Sequence, residues 1–177
     1  MKLKTFTPAE VSGKKVLMRV DFNVPFKNGK VTDDARIRAH WSTLKKLIDA
    51  KAKVALVSHF GRPKGKVDPA FSISQIVPDI EKAYGLKVIF VDDCVGDKVS
   101  KAVDALKPGE IVVLENSRYH PEEQKNDPDF SKAMAAPFDV FVMDAFSASH
   151  RADCSTSGVI PFVSAAFAGD LLEREGE

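Results

Sequence analysis

Apolar residues along this chain follow two alternating rhythms. Five short runs are nearly continuous: Val-Leu-Met-Arg-Val at 16–20, Val-Ala-Leu-Val at 54–57, Lys-Val-Ile-Phe-Val at 87–91, Ile-Val-Val-Leu at 111–114 and Asp-Val-Phe-Val-Met at 139–143. Such runs predict strands covered on both faces, because a half-exposed strand alternates apolar with polar residues. Val159 and Ile160 predict the start of a sixth strand. Between the runs, apolar residues recur every three or four positions, the spacing of one helical face. Ile37, Trp41, Leu44, Leu47 and Ile48 predict one helix, capped by Asp33 or Asp34. Ile76, Ile80 and Tyr84 predict a second, with Pro78 in its first turn and Gly85 as its stop. Val99, Val103 and Leu106 mark a third, ended by Pro108 and Gly109, and residues 128–136 form a short fourth. A last helix is predicted over 164–175, with Phe167, Leu171 and Leu172 apolar. Strands alternating with helices predict an α/β fold: a three-layer domain with a mostly parallel sheet of about six strands between helices.

Length and composition narrow the class. A chain of 177 residues with 44% hydrophobic and 29% charged residues can bury a full core as one domain. Lys plus Arg number 26 and Asp plus Glu 25, so no bulk basicity points to nucleic acid or to a membrane surface. No apolar run approaches the roughly 18 residues of a spanning helix, and Met1 to Thr5 lack an apolar signal core. Cys94 and Cys154 stand far apart with no CxxC partner and read as free thiols, which makes the cytoplasm the expected location.

The seven arginines change the picture further. Arg36 and Arg38 follow the loop after the first predicted strand, Arg62 follows the second, Arg118 the fourth and Arg151 the fifth. In an open parallel sheet these loops share the carboxyl edge, where ligands bind. Arginine presents a planar fork of donors suited to carboxylate and phosphate. Any one of these arginines could be a surface ion pair; five at one edge point to a small, multiply charged anion. His59, His120 and His150 lie in the same loops, and His59 and His150 are the better anion donors of the three. Asp21 and Asn23, two apart after the first strand, face the same way if the backbone is extended and could hold a hydroxyl. Asp-Phe-Asn-Val-Pro is equally a turn former, and both readings stay open.

Other chemistries fit less well. Gly61 to Lys66 is one residue short of a phosphate loop, Val67 replaces its hydroxyl residue and Pro63 interrupts it. No GxGxxG follows a strand. Cys154 near His150 lacks an orienting third group. The histidine and cysteine spacings match no zinc pattern, so no metal is expected. Asp92 and Asp93 with Asp21 suggest a phospho-acceptor receiver, but the intervening lengths are wrong for one.

Six segments in order then identify a resemblance. They are Arg-Val-Asp-Phe-Asn-Val-Pro at 19–25, Asp-Ala-Arg-Ile-Arg at 34–38, Ser-His-Phe-Gly-Arg-Pro at 58–63, Leu-Glu-Asn-Ser-Arg-Tyr-His at 114–120, Asp-Ala-Phe at 144–146 and Ser-His-Arg-Ala at 149–152. Together they resemble the N-terminal domain of the phosphoglycerate kinases, glycolytic enzymes with Rossmann-like domains. The resemblance implies binding of 3-phosphoglycerate or 1,3-bisphosphoglycerate. It gives Asp21 and Asn23, with Phe22 between them, to the carbon-2 hydroxyl, and Arg36 to the carboxyl end, where the phosphoryl group moves. It gives His59, Arg62, Arg118 and Arg151, with Phe60 and Gly61, to the 3-phosphate. Departures occur at Ser117, Ser147, Ala148 and Asp153; the last places a negative charge near the expected anion site.

The family's enzymes are about twice as long. The resemblance therefore divides the chain into a substrate-binding domain over 1–163 and the start of an interdomain helix over 164–177. ATP or ADP with magnesium would be held by a C-terminal domain outside this chain, which would be this chain's partner. The implied function is the substrate half of a kinase that transfers a phosphoryl group between 1,3-bisphosphoglycerate and ADP, inactive alone. The alternative is a stand-alone module that binds phosphorylated metabolites without catalysis.

Overall fold

Helices and strands alternate along the computed structural model, which describes residues 3–172. In chain order the elements are α1 (Pro8–Val11), β1 (Lys15–Arg19), β2 (Phe26–Lys27), β3 (Lys30–Val31), α2 (Ala35–Ala39), α3 (Trp41–Asp49) and β4 (Lys53–Val57). They continue with α4 (Val77–Tyr84), β5 (Lys87–Val91), α5 (Asp97–Asp104), β6 (Glu110–Leu114), α6 (Pro128–Ala135), β7 (Val140–Met143) and β8 (Ala165–Ala168). Six strands form one sheet in the order β5-β6-β4-β1-β7-β8, and every neighbouring pair is parallel. β2 and β3 form a small separate hairpin.

Each continuous apolar run feeds two cores because successive side chains leave opposite faces of a strand. From β1, Val16 and Met18 enter the core shared with Ile37 of α2, Leu44 and Leu47 of α3 and Ile80 and Tyr84 of α4. Leu17 enters the other, with Val99 and Val103 of α5 and Phe130 and Met134 of α6. The result is a three-layer α/β domain of Rossmann-like kind, and the sheet is parallel throughout.

β1 lies at the sheet's centre, between β4 and β7. The chain leaves β1 toward α2 and α3 on one face; after β7 it enters a π-helical turn at Cys154–Gly158, whose Cys154 joins the opposite core. Neighbouring strands whose connections diverge in this way open a crevice beyond their carboxyl ends.

Three expectations from the sequence need correction. The helix predicted through Ile37 and Ile48 is two helices, because a tight turn at His40 separates α2 from α3. The sixth strand is not at Val159 and Ile160: Val159 is fully buried beside a 3-10 turn at Ile160–Phe162. It is instead Ala165–Ala168, paired with Val140 to Met143 of β7, where a helix had been predicted. Phe167 is accordingly core, 2% exposed, and helical backbone begins only at Asp170. Glu173 to Glu175 of the predicted helix lie outside the described residues.

The edge strand β8 is not left open. The Ala168 N–H donates to Lys4 O at 2.8 Å, and Phe167 meets Phe6 edge to face, with ring centroids 6.1 Å apart.

Candidate functional site

The chain turns out of β1 through Val20 to Asn23, held to neighbouring strands. Val20 N–H donates to Val57 O at 3.0 Å, continuing the ladder, and Phe22 N–H donates to Ser58 Oγ at 2.9 Å. Phe22 is buried, so this loop is anchored by its apolar residue while Asp21 and Asn23 stand on either side. The turn reading of this stretch holds, since Asp21 Oδ1 accepts the Asn23 N–H at 3.0 Å as in an Asx turn. Asp21 Oδ2 accepts from the Ser147 hydroxyl and lies 3.5 Å from Arg36 Nη1. Burial alone would raise the Asp21 pKa; Ser147, Asn23 and Arg36 outweigh it and hold the carboxyl below its ordinary value. Arg36 also donates from Nη1 to Asn23 O at 2.8 Å.

Asn23 Oδ1 accepts the Gly61 N–H at 2.9 Å, joining the loop after β1 to the loop after β4. Gly61 has φ +62, and a Cβ there would stand 2.4 Å from the Phe71 ring, so only glycine fits. Phe60 is buried and stacks edge to face with Phe26, with its N–H on Asn116 Oδ1 at 3.3 Å. Phe22 and Phe60 thus serve the site through backbone and packing.

The basic groups converge beside this junction. Arg118, in the turn after β6, is buried, and its Nε and Nη2 have no hydrogen-bond partner among the described residues. Burial lowers its pKa, and the charges of Arg151 and Arg62 add to that effect, which places all three guanidiniums in one field. Arg62 and Arg151 are exposed. Arg38 is not part of the group: it pairs with Asp34 at 3.0 Å along its own helix. His150 is exposed against Phe146, and His120 pairs with Asp93 at 2.8 Å.

Arg19 was not among the residues expected here. It is fully buried at the end of β1, donating to Val20 O at 2.6 Å and contacting His59 Nδ1 at 2.8 Å. An Arg terminating a strand buried on both faces must reach past the carboxyl end, and that was the available signal. Burial lowers its pKa, against the opposing fields of Glu123, Asp21 and Asp153. Glu123 is itself fully buried and accepts from Ser155 N at 2.7 Å and Ser155 Oγ at 2.5 Å. Asp153 does add a negative charge here. Burial and Glu123 raise its pKa against Arg118, Arg19 and Arg151.

Since arginine only donates, His59 Nδ1 must accept, which leaves the ring proton on Nε2. Burial, then the charges of Arg19 and Arg118, push the His59 pKa down to about 3. His59 is therefore a neutral donor and adds no charge to the patch. An unfolded histidine binds a proton near pH 6.5 and this one does not, so stability is lost as pH falls from about 6.5 toward 3. The slope from this one group is about 1.4 kcal/mol per pH unit. In NMR the His59 ring signals are expected to stay constant between pH 8 and 5; a midpoint near 6.5 would show a solvated ring.

A cleft of about 320 Å³ opens beside Asp21 and Arg36, lined also by Ala35, Ala39, His40, Phe146, Ser147 and Leu171. A second, of about 370 Å³, runs from Asn23 and Arg36 to Asp33. Asp93, Cys94 and His120 bring carboxylate, thiol and imidazole atoms within 4.8 Å of one another. Asp93 Oδ1 there already takes the Cys94 and Val95 N–H groups as well as His120, which explains the cluster as a loop fastening. Both cysteines are free and buried, and no helix among the described residues is long and apolar enough to cross a membrane.

A family model described as phosphoglycerate kinase matches residues 6–177. A phosphoglycerate kinase of Moorella thermoacetica is 50% identical over 173 residues, covering 98% of this chain and 44% of that protein. One from Ruegeria is 50% identical over 175 residues, again 44% of its length. Among solved structures, phosphoglycerate kinase from Coxiella burnetii superposes with a TM-score of 0.85 at 37% identity, over 98% of this chain and 43% of that one. The enzyme from Pyrococcus horikoshii gives 0.80 at 29% identity, over 93% and 42%. The chain thus spans less than half the length of the relatives it matches.

Proposed function

The chain belongs to the phosphoglycerate kinase family, and from that premise we propose that it is the substrate-binding half of such a kinase, holding 3-phosphoglycerate or 1,3-bisphosphoglycerate. The observation that carries this reading is Arg118: a buried guanidinium with two donor nitrogens unpartnered, in the field of Arg62 and Arg151. A buried charge without partners is costly, and a phosphate oxygen pair supplies what it lacks. In this reading Arg118, Arg62, Arg151 and the Nε2–H of His59 take the 3-phosphate. Asp21 accepts from the carbon-2 hydroxyl with lone pairs left by Ser147 and Asn23. The Asn23 amide nitrogen donates beside it, because its oxygen is committed to Gly61.

Arg36, exposed at the start of α2, reaches the carboxyl end of the substrate. It stabilises charge that develops on the transferring group, the main demand of phosphoryl transfer. Nucleotide with magnesium, bound by a C-terminal domain, supplies or accepts that group. Asp21 is a poor magnesium ligand, since Ser147, Asn23 and Arg36 already engage its oxygens. The backbone that becomes helical at Asp170 leads toward that second domain, and the chain by itself turns over no substrate.

Calorimetric titration of this chain with 3-phosphoglycerate tests the reading. Saturable binding is expected, weaker as salt rises from 50 to 300 mM because the contacts are charge-based. No binding at millimolar ligand in low salt removes the assignment.

A further inference from the structure

His40 borders the cleft beside Asp21 without a chemical role assigned to it, yet it is 1% exposed and makes two directed hydrogen bonds. The Asp21 N–H donates to its Nε2 at 2.9 Å, so Nε2 is the acceptor and the ring proton sits on Nδ1. Nδ1 donates to Asp144 Oδ2 at 2.8 Å. Asp144, fully buried at the end of β7, uses its other oxygen on the far side. Oδ1 accepts from Thr43 Oγ1 at 2.9 Å and from the Leu171 N–H at 3.0 Å. Thr43 Oγ1 in turn accepts the Asp170 N–H at 2.8 Å. Close fit enforces the connection: a Cβ on Gly169 would stand 2.0 Å from Asp144 Oδ1.

We infer that His40 is a positioning residue: through Asp144 it couples the placement of Asp21 to the placement of the segment at Asp170 and Leu171. The loop that meets the ligand and the segment where the chain turns helical are two ends of one buried network. The links through His40, Thr43 and Asp144 are polar and buried, so none of these three can be removed without leaving a buried group unpaired. A ligand that shifts or stiffens Asp21 is therefore felt at the Leu171 amide. Coupling of this kind is reciprocal, so whatever fixes Leu171 also tightens Asp21.

The inference rests on the proposed function only for the identity of the ligand. The test is amide NMR and hydrogen exchange at Asp21 and Leu171, with and without 3-phosphoglycerate, in the native chain, His40→Leu and His40→Gln. Leucine keeps volume and loses both bonds; glutamine can accept from Asp21 and donate to Asp144. In the native chain, ligand is expected to shift the Leu171 amide and slow its exchange several-fold. His40→Leu is expected to bind about tenfold more weakly and, when saturated, to leave Leu171 unmoved; His40→Gln is expected to restore the response. A purely structural His40 would change affinity but not this response. Binding without any change at Leu171 in the native chain overturns the coupling and leaves the substrate reading standing. A Leu171 response retained in saturated His40→Leu overturns it also. Absence of binding in the native chain overturns the substrate reading instead. The relay is then judged without ligand, by Leu171 exchange faster in His40→Leu than in His40→Gln, and equal rates reject it. Should His40→Leu not fold, Thr43→Val removes one hydroxyl at the far end. A displaced Asp21 amide in that variant supports the relay, and an unmoved one rejects it.

Discussion

Arg118→Met is expected to lower affinity for 3-phosphoglycerate by about 1.5–3 kcal/mol, roughly 10- to 150-fold, without loss of stability. The two halves of that result come from one fact. In the ligand-free chain Arg118 is a buried cation whose Nε and Nη2 have no hydrogen-bond partner among the described residues; burial and the charges of Arg151 and Arg62 disfavour it against the pull of Asp153 and Glu123. Methionine fills similar volume and removes the unpaired charge, so unfolding by urea should be unchanged or slightly harder. A residue kept for structure behaves oppositely. Calorimetry alongside a urea melt separates the cases: native affinity in the variant removes Arg118 from the site, and a large fall in stability makes it a structural group. Arg118 keeps its backbone N–H on Asn116 Oδ1 at 3.0 Å in either case, so the loop itself is not expected to move.

Arg19→Met should instead destabilise the fold by about 3–5 kcal/mol, the cost of breaking a buried charge network from one side. Glu123 is fully buried and its charge favours the Arg19 cation, with Asp21 and Asp153 in the same field. Without the guanidinium these acids lose a fully buried counter-charge and keep only the less buried Arg118 and Arg151 and, at Asp21, the exposed Arg36. His59 loses the donor that fixes its tautomer, and Val20 O loses a 2.6 Å bond. Acid should partly rescue the variant, since protonating Asp153, whose pKa burial and Glu123 already raise, removes charge left with less compensation. A thermal melt within a degree or two of the native chain at pH 7 would mean that Arg19 is not the hub of that network. The two arginines stand close together yet separate by this pair of measurements: one responds in binding, the other in folding.

What the sequence made legible follows from physics at different ranges. Five strands were readable because both faces of a central parallel strand are buried, and each observed strand lies within a residue of its apolar run. β8 was not, because Ala-Ala-Phe-Ala has the local preferences of a helix. Only pairing to β7 on one side and to Lys4 on the other makes it a strand. The break at His40 was hidden for a similar reason: Ile37, Trp41 and Leu44 keep helical spacing across it, and the turn serves contacts to Asp21 and Asp144, far along the chain. The basic rim was visible since loops after parallel strands must share an edge. Its inner support, made of Arg19, Glu123 and Asp153, was not, because burial of charge is decided by tertiary packing. The loop that carries His59 was legible but not its charge: burial first, then its neighbours Arg19 and Arg118, hold the ring neutral.

The pairing of Ala168 with Lys4 sets an order on how the molecule can be made. Lys4 and Phe6 close the sheet's outer edge only against its last strand, so that edge pairing waits until residues 165–168 have been synthesised. β1, the central strand, likewise waits for β7 before its second side is covered. Contacts of such long sequence separation slow folding and leave apolar edges open meanwhile. A nascent chain paused before Phe167 therefore carries a β7 open on one side and a Lys4 carbonyl without its strand partner. It is a natural substrate for chaperones or for mispairing with another chain, and release of residues 165–168 is the event that ends that exposure.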